Sequence, residues 1–171
     1  MAFHHGPVLV DTNAILECWR IGAWRSLTGG YRVETVEDCV IETQTGYQRR
    51  RQEQQIDNAK LRASMAAVHG VGDRERAAAI TRETMFSFLD VGEQSLWAHA
   101  LTRDDNWVLC GPDKASLRFG VKLGFRERLV ALEDLLKGVG HKAPGLKTAY
   151  TSAWLAKTLG EIVVMEGPKR P

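Results

Sequence analysis

Pro7-Val8-Leu9-Val10-Asp11-Thr12-Asn13 is the stretch whose reading decides the fold. Its central apolar residues Val8, Leu9 and Val10, two of them β-branched, form a buried strand too short to be a helix. Asp11-Thr12-Asn13 breaks the run. The residues after it, Ala14 to Arg20, carry apolar side chains at 15, 16 and 19, which suit one face of a helix. Asp11 therefore stands where a core strand hands over to a helix. In an open α/β sheet that end of the strands is where ligands collect. A carboxylate placed there can cap the helix or bind a cation.

The rest of the chain repeats this alternation. Residues 31–36 alternate and are β-rich, predicting a second strand, and Glu37 and Asp38 acidify the first turn of a helix running through Thr43. Residues 44–60 are strongly polar with no core face, as in a solvated helix or a mobile loop. Residues 61–68 regain apolar periodicity, and Gly70-Val71-Gly72 breaks it. Residues 74–88 read as a helix, with a short strand an alternative over 84–89. Asp90-Val91-Gly92-Glu93 opens a clearer helix with Leu96, Trp97, Ala100 and Leu101 on its apolar face. Residues 106–110 predict a buried strand, and a helix follows from Asp113 to Leu123, with Gly124 as its left-handed stop. Beyond it the pattern predicts a short strand over 128–132 and a helix over 133–137. An amphipathic helix over 146–159, an edge strand over 161–165 and a frayed tail complete the chain. Strands alternating with helices predict an α/β domain with a mostly parallel central sheet.

A chain of 171 residues, 44% hydrophobic and 26% charged, suits one globular domain able to bury its own core. The formal net charge of +2 is too small to argue for a nucleic-acid partner by itself. Cys18, Cys39 and Cys110 are scattered among apolar residues, as core thiols are, and no close Cys pair suggests zinc. No apolar stretch approaches the ~20 residues of a membrane span, and no secretory pattern opens the chain, so a cytoplasmic protein is expected. His4 and His5 read as a terminal pair, and His69, His99 and His141 lack partner spacing.

Asp11 and Asp113 occupy equivalent places: an apolar strand, a break, an Asp, then a helix. Each alone reads as an N-cap more readily than as a ligand. Parallel strands, however, would deliver both to one edge of the sheet. Glu93 lies in the first turn of its helix, with Asp90 as the expected cap. Glu42 follows a largely apolar run, while Glu34, Glu37 and Asp38 look solvent-facing. Asp104 and Asp105 precede the strand that Asp113 follows and read as plain turn residues.

Val8-Leu9-Val10-Asp11-Thr12-Asn13, Glu42 late in an early helix, Leu89-Asp90-Val91-Gly92-Glu93 opening another, and Val108-Leu109-Cys110-Gly111-Pro112-Asp113-Lys114 together resemble a PIN domain. This is the ribonuclease family represented by the toxins of VapC-type toxin–antitoxin pairs. The resemblance spans roughly residues 7–137 and implies a single three-layer α/β/α domain, with residues 138–171 as a C-terminal helix and tail. The commoner form carries a Thr or Asp in the place of Gly111 or Pro112, so that here Asp113 is the sole acid of that segment.

The resemblance implies metal-dependent hydrolysis of single-stranded or loop RNA. Asp11, Glu93 and Asp113 would be metal ligands, and Glu42 would bind metal directly or through water, or orient the attacking water. Hard oxygen donors select Mg²⁺ or Mn²⁺. Thr12 and Asn13 would support the site by hydrogen bonds. Lys114, Arg118 and Lys122 recur at intervals of four along the helix after Asp113, as a phosphate-binding stripe or an ordinary solvated face. Arg49-Arg50-Arg51 is a second basic candidate. The resemblance further implies a homodimer and an inhibiting antitoxin. Tyr150 and Trp154 could meet such a partner or simply pack in the core. An Asp-based phosphatase reading is disfavoured because Asn13 stands where that chemistry needs a second Asp. The stronger alternative is a PIN-fold module that binds RNA or protein without cutting.

Overall fold

The computed structural model describes residues 3–46 and 55–167. The opening apolar run forms β1 (Pro7–Val10), followed in the sheet by β2 (Arg32–Val36), β3 (Ala67–His69) and β4 (Val108–Cys110). They pair in the order β3-β2-β1-β4, every pair parallel, with Val8 opposite both Val33 and Val108. Val8, Leu9 and Val10 are fully buried. Alternation along the strand sends Leu9 to one face and Val8 and Val10 to the other, and a separate apolar cluster grows on each.

Leu9 packs into a cluster with helices α5 (Asp73–Arg82), α6 (Val91–Ala100), α7 (Lys114–Lys122) and α9 (Ser152–Glu166), which contribute Ala79, Trp97, Phe119 and Leu159 among others. The opposite cluster takes Ile15 from α1 (Thr12–Arg20), Leu27 from α2 (Trp24–Gly30), Leu61 from α4 (Asn58–Ser64) and Leu136 from α8 (Leu132–Gly138). Helix α3 (Glu37–Gln44) serves both, giving Cys39 to the first and Val40 to the second. The result is a three-layer α/β/α domain with a parallel sheet, as the alternation predicted. Cys18, Cys39 and Cys110 are buried and unbridged. No helix among the described residues is long and apolar enough to cross a membrane.

Several local expectations are corrected. The strand expected over 128–132 reduces to a single bridge from Leu129 to Leu109, because a 3-10 turn over Arg126–Arg128 precedes it and α8 begins at Leu132. The edge strand expected over 161–165 is the last part of α9, where the β-branched run misleads. Leu155, Leu159 and Ile162 lie on one helical face and dock on the core, which overrides strand propensity. The helix expected over 74–88 ends at Arg82, and Thr84–Phe88 form a 3-10 turn. The short strand β3 was hidden within the apolar periodicity of residues 61–68.

The C-terminal segment is strapped to α1. The buried Glu17 carboxylate takes both Arg20 (2.7 Å) and the Lys147 amide (2.9 Å), and Arg20 also donates to the Gly145 carbonyl (2.5 Å). Trp154 packs against the Leu9-side core and Tyr150 against the other, so both rings serve packing. At the centre of the first cluster Trp97 is fully buried, meets Trp107 and Phe119 edge-on and donates to Ser116 at 2.8 Å. Replacing Trp97 with Ala should cost about 3–5 kcal/mol, read from the urea midpoint of the variant. A loss well below that would mean the core refills the space.

Candidate active site

The edge where the parallel strands end gathers the acids. The Asp11 amide donates to the Cys110 carbonyl at 3.1 Å, keeping the ends of β1 and β4 side by side. Asp11 Oδ1 then accepts from the Ala14 amide at 2.7 Å and starts α1. Asp113 starts α7 in the same way, accepting from Ala115 (2.7 Å) and Ser116 (3.1 Å). Asp90 starts α6 through the Glu93 amide (2.8 Å), and Glu93 returns the contact to the Asp90 amide (3.3 Å), a reciprocal capping box. Glu42 reaches across from α3, accepting from the Gly92 amide (2.9 Å) and the Thr12 hydroxyl (2.7 Å).

Two glycines make this approach possible. A Cβ on Gly92 would lie 2.5 Å from Glu42 Oε2, and one on Gly111 would lie 2.4 Å from Asp11 Oδ2. Any side chain at either position would push a carboxylate out of place. Gly111 thus has a steric role against Asp11.

Asp11 and Glu93 are buried, and their charges are felt by one another and by their neighbours. Burial pushes the Asp11 carboxyl up to about 7, opposed by the Ala14 amide and reinforced by Asp90, Asp113 and Glu42. Burial likewise pushes Glu93 to about 9, with Asp113, Asp90 and Asp11 adding repulsion. Among the described residues, no Lys or Arg forms an ion pair with Asp11, Asp90, Glu93 or Asp113.

Two other buried acids show the opposite behaviour. Burial alone would raise Glu17 and Glu34. The Arg20 hydrogen bond and the Lys147 amide overcome it for Glu17, and His69 and Arg103 overcome it for Glu34, so both stay below the usual range. Glu34 corrects the expectation that it faces solvent: it is completely buried, with Arg103 at 2.6 Å, His69 at 2.7 Å and Arg32 at 2.7 Å. Glu37 and Asp38 are partly exposed and paired with Arg62 and Arg76. Asp105 pairs with Arg103 and Asp104 is exposed, in line with turn residues away from the site.

Glu34, His69 and His99 are, among the described residues, the His/Cys/Asp/Glu group whose ligand atoms all lie within 4.8 Å of one another. His69 and His99 stack 3.9 Å apart, a pairing that residues thirty apart in sequence do not advertise. Arg103 donates to both Glu34 and His99, so protein cations already occupy the place a metal would take. The oxygens of Asp11, Glu93 and Asp113 do not all come within 4.8 Å of one another, although Asp11 and Glu93 each feel the charges of Asp90 and Asp113. Oxygen donors spaced more widely than that suit a hard divalent ion that keeps part of its water shell, as Mg²⁺ does. Asp11, Glu93 and Asp113 could hold such an ion, with Asp90, read from sequence as a cap only, adding charge beside them.

The supporting residues divide. Thr12 contacts Glu42, whereas Asn13 is exposed and is engaged through its backbone carbonyl, which accepts from Tyr150 at 3.3 Å. On α7, Arg118 is ion-paired with Glu166, and Lys122 lies 3.4 Å from Glu83 and 3.8 Å from Glu166, while Lys114 is exposed. Arg49-Arg50-Arg51 lie outside the described residues. No protein family, curated protein or solved structure matches the chain.

The raised carboxyls give a pH signature. In the unfolded chain both ionise near 4, so between there and about 7 for Asp11, or about 9 for Glu93, the folded state holds the extra proton. Their contribution to stability therefore falls as pH rises through that window. In chelator, the melting temperature should decline more from about pH 5 to about pH 9 for the wild type than for the double variant Asp11→Asn/Glu93→Gln. Equal slopes would mean that the two carboxyls ionise normally.

Proposed function

We propose that this chain is a divalent-metal-dependent endoribonuclease of the PIN-domain type, hydrolysing phosphodiester bonds of single-stranded or loop RNA. One observation carries the reading. The chain neutralises Glu17 and Glu34 with its own cations, yet among the described residues no Lys or Arg pairs with the buried Asp11 and Glu93, which feel the charges of Asp113 and Asp90. Burying acids together without a cation is costly, and an external divalent ion removes that cost. The strand-end location is where open α/β sheets bind ligands.

Asp11, Glu93 and Asp113 would hold Mg²⁺ or Mn²⁺. Such an ion, when bound, supplies charge neutralisation for the phosphodiester and a means of activating water. Glu42, fixed by the Gly92 amide and the Thr12 hydroxyl, would accept a hydrogen bond from the attacking water and hold it in line with the phosphorus. A bond from the water oxygen to phosphorus forms as one P–O bond of the backbone breaks. A toxin role with an inhibiting antitoxin, and a homodimer, belong to the same reading and rest on the resemblance alone.

Asp11→Asn should abolish Mg²⁺- or Mn²⁺-dependent cleavage of a labelled single-stranded RNA while the circular dichroism spectrum stays native. Cleavage that persists in this variant, or in wild type under chelator, refutes the assignment. Retained RNA binding with no fragments under any metal would favour a binding-only module. Gly92→Ala should keep the fold, because the Cβ meets the end of a side chain, and lower cleavage about 10- to 100-fold by displacing Glu42. Full activity in that variant would remove Glu42 from the mechanism.

A further inference from the structure

A second feature lies between the turn that precedes α6 and helix α7. The 3-10 turn Thr84–Phe88 faces α7 across a hollow of about 460 Å³ lined by Glu83, Thr84, Met85, Phe88, Arg118 and Lys122. That volume lies within the ~300–1,000 Å³ typical of ligand sites. Phe88 is 82% exposed, although other large aromatics such as Trp97, Trp107 and Phe119 are fully buried.

We propose, on the basis of the ribonuclease reading above, that this hollow is a nucleobase subsite. Phe88 stacks one base of a single-stranded RNA, and Arg118 and Lys122 receive the adjoining phosphates. Both walls adjoin the acids along the chain. Phe88 precedes the α6 cap Asp90 by two residues. Arg118 and Lys122 lie on the helix that Asp113 caps, about 7.5 and 13.5 Å along its axis at about 1.5 Å per residue. The hollow is thus built by the segment that leads to Asp90 and the helix that leaves Asp113.

The composition of the hollow selects the occupant. An exposed aromatic face beside two cations is the pattern that binds single-stranded nucleic acid, by stacking and phosphate contact. A helix-binding protein groove would need a continuous apolar stripe, and here the apolar lining is Met85 and Phe88 alone. Arg118 and Lys122 are held by Glu83 and Glu166 in partly exposed pairs. Such pairs contribute little and exchange readily for a phosphate. Val91 and Ile41, the latter next to Glu42 in sequence, are likewise exposed apolar side chains.

The full-length chain tests this with a short fluorescein-labelled RNA of mixed sequence, single-stranded or annealed. Anisotropy in chelator reads affinity, and cleavage in Mn²⁺ reads KM and kcat. Phe88→Ala should weaken single-strand binding and raise KM about 5- to 100-fold with kcat little changed. Phe88→Trp should restore affinity, and Phe88→Leu should not. Wild-type cleavage with unchanged affinity and KM in Phe88→Ala overturns the subsite and leaves the nuclease standing. Equal rescue by Leu and Trp overturns stacking. A change in self-association of Phe88→Ala without a change in RNA affinity makes the patch a protein interface, and the proposal falls. Neither binding nor cleavage by wild type overturns both readings, whereas Phe88-dependent binding without cleavage retains the subsite and rejects the nuclease.

Discussion

Parallel pairing of β1 with both its neighbours is the constraint on which everything else depends. Because β1, β2 and β4 run the same way, the chain must leave each of them at the same edge. The hydrogen bond from the Asp11 amide to the Cys110 carbonyl extends the β1–β4 pairing to the first loop residue. Asp11 and Asp113 therefore open their helices side by side, though a hundred residues separate them. Helix α6, buried along most of its length beneath the Leu9 face, then points its capped start and Glu93 at the same edge. Were one of these strands reversed, its acid would leave at the far edge of the sheet.

Charge is distributed unevenly over this frame. Glu17 is spent on fastening residues 145–147 to α1, and Glu34 on binding β2 to β3 and to the turn after α6 through His69 and Arg103. Both are buried acids balanced within the chain. Among the described residues, Asp11, Asp90 and Glu93 are met by helix amides and by no Lys or Arg, and amide dipoles are weaker than a guanidinium. Asp11 and Glu93 respond by holding protons to unusually high pH.

Much of this was legible in the residues. Val8-Leu9-Val10 and the strand ending at Cys110 were plain because fully buried parallel strands are short apolar runs. Asp11, Glu93 and Asp113 could be singled out because each sits at a strand or helix boundary. Other features were not legible. Ile162-Val163-Val164 has strand-like composition, and only docking of Leu155, Leu159 and Ile162 on the core makes it helical. Glu34 looked exposed because a lone Glu in an alternating strand normally is, and its partners Arg103 and His69 arrive from distant segments. Asp90 was read as a cap, which it is, but its charge on Asp11 and Glu93 depends on how α6 meets β1.

Cap and ligand had looked like competing readings of these aspartates, yet the geometry allows both at once. A carboxylate has two oxygens, and Asp11, Asp90 and Asp113 each commit Oδ1 to a helix amide. The cap fixes the side-chain torsions, so the second oxygen is held without further ordering when a cation arrives. It also lets the domain fold before any ion binds, since the amide donors partly solvate the charge. A capped aspartate is thus a better ligand than a free one at the same place, because the entropy of positioning it has already been lost in folding. The same logic applies to Glu42, whose two oxygens are already engaged by Gly92 and Thr12. With its own bonds so committed, Glu42 suits the orienting of a water better than the direct coordination of an ion.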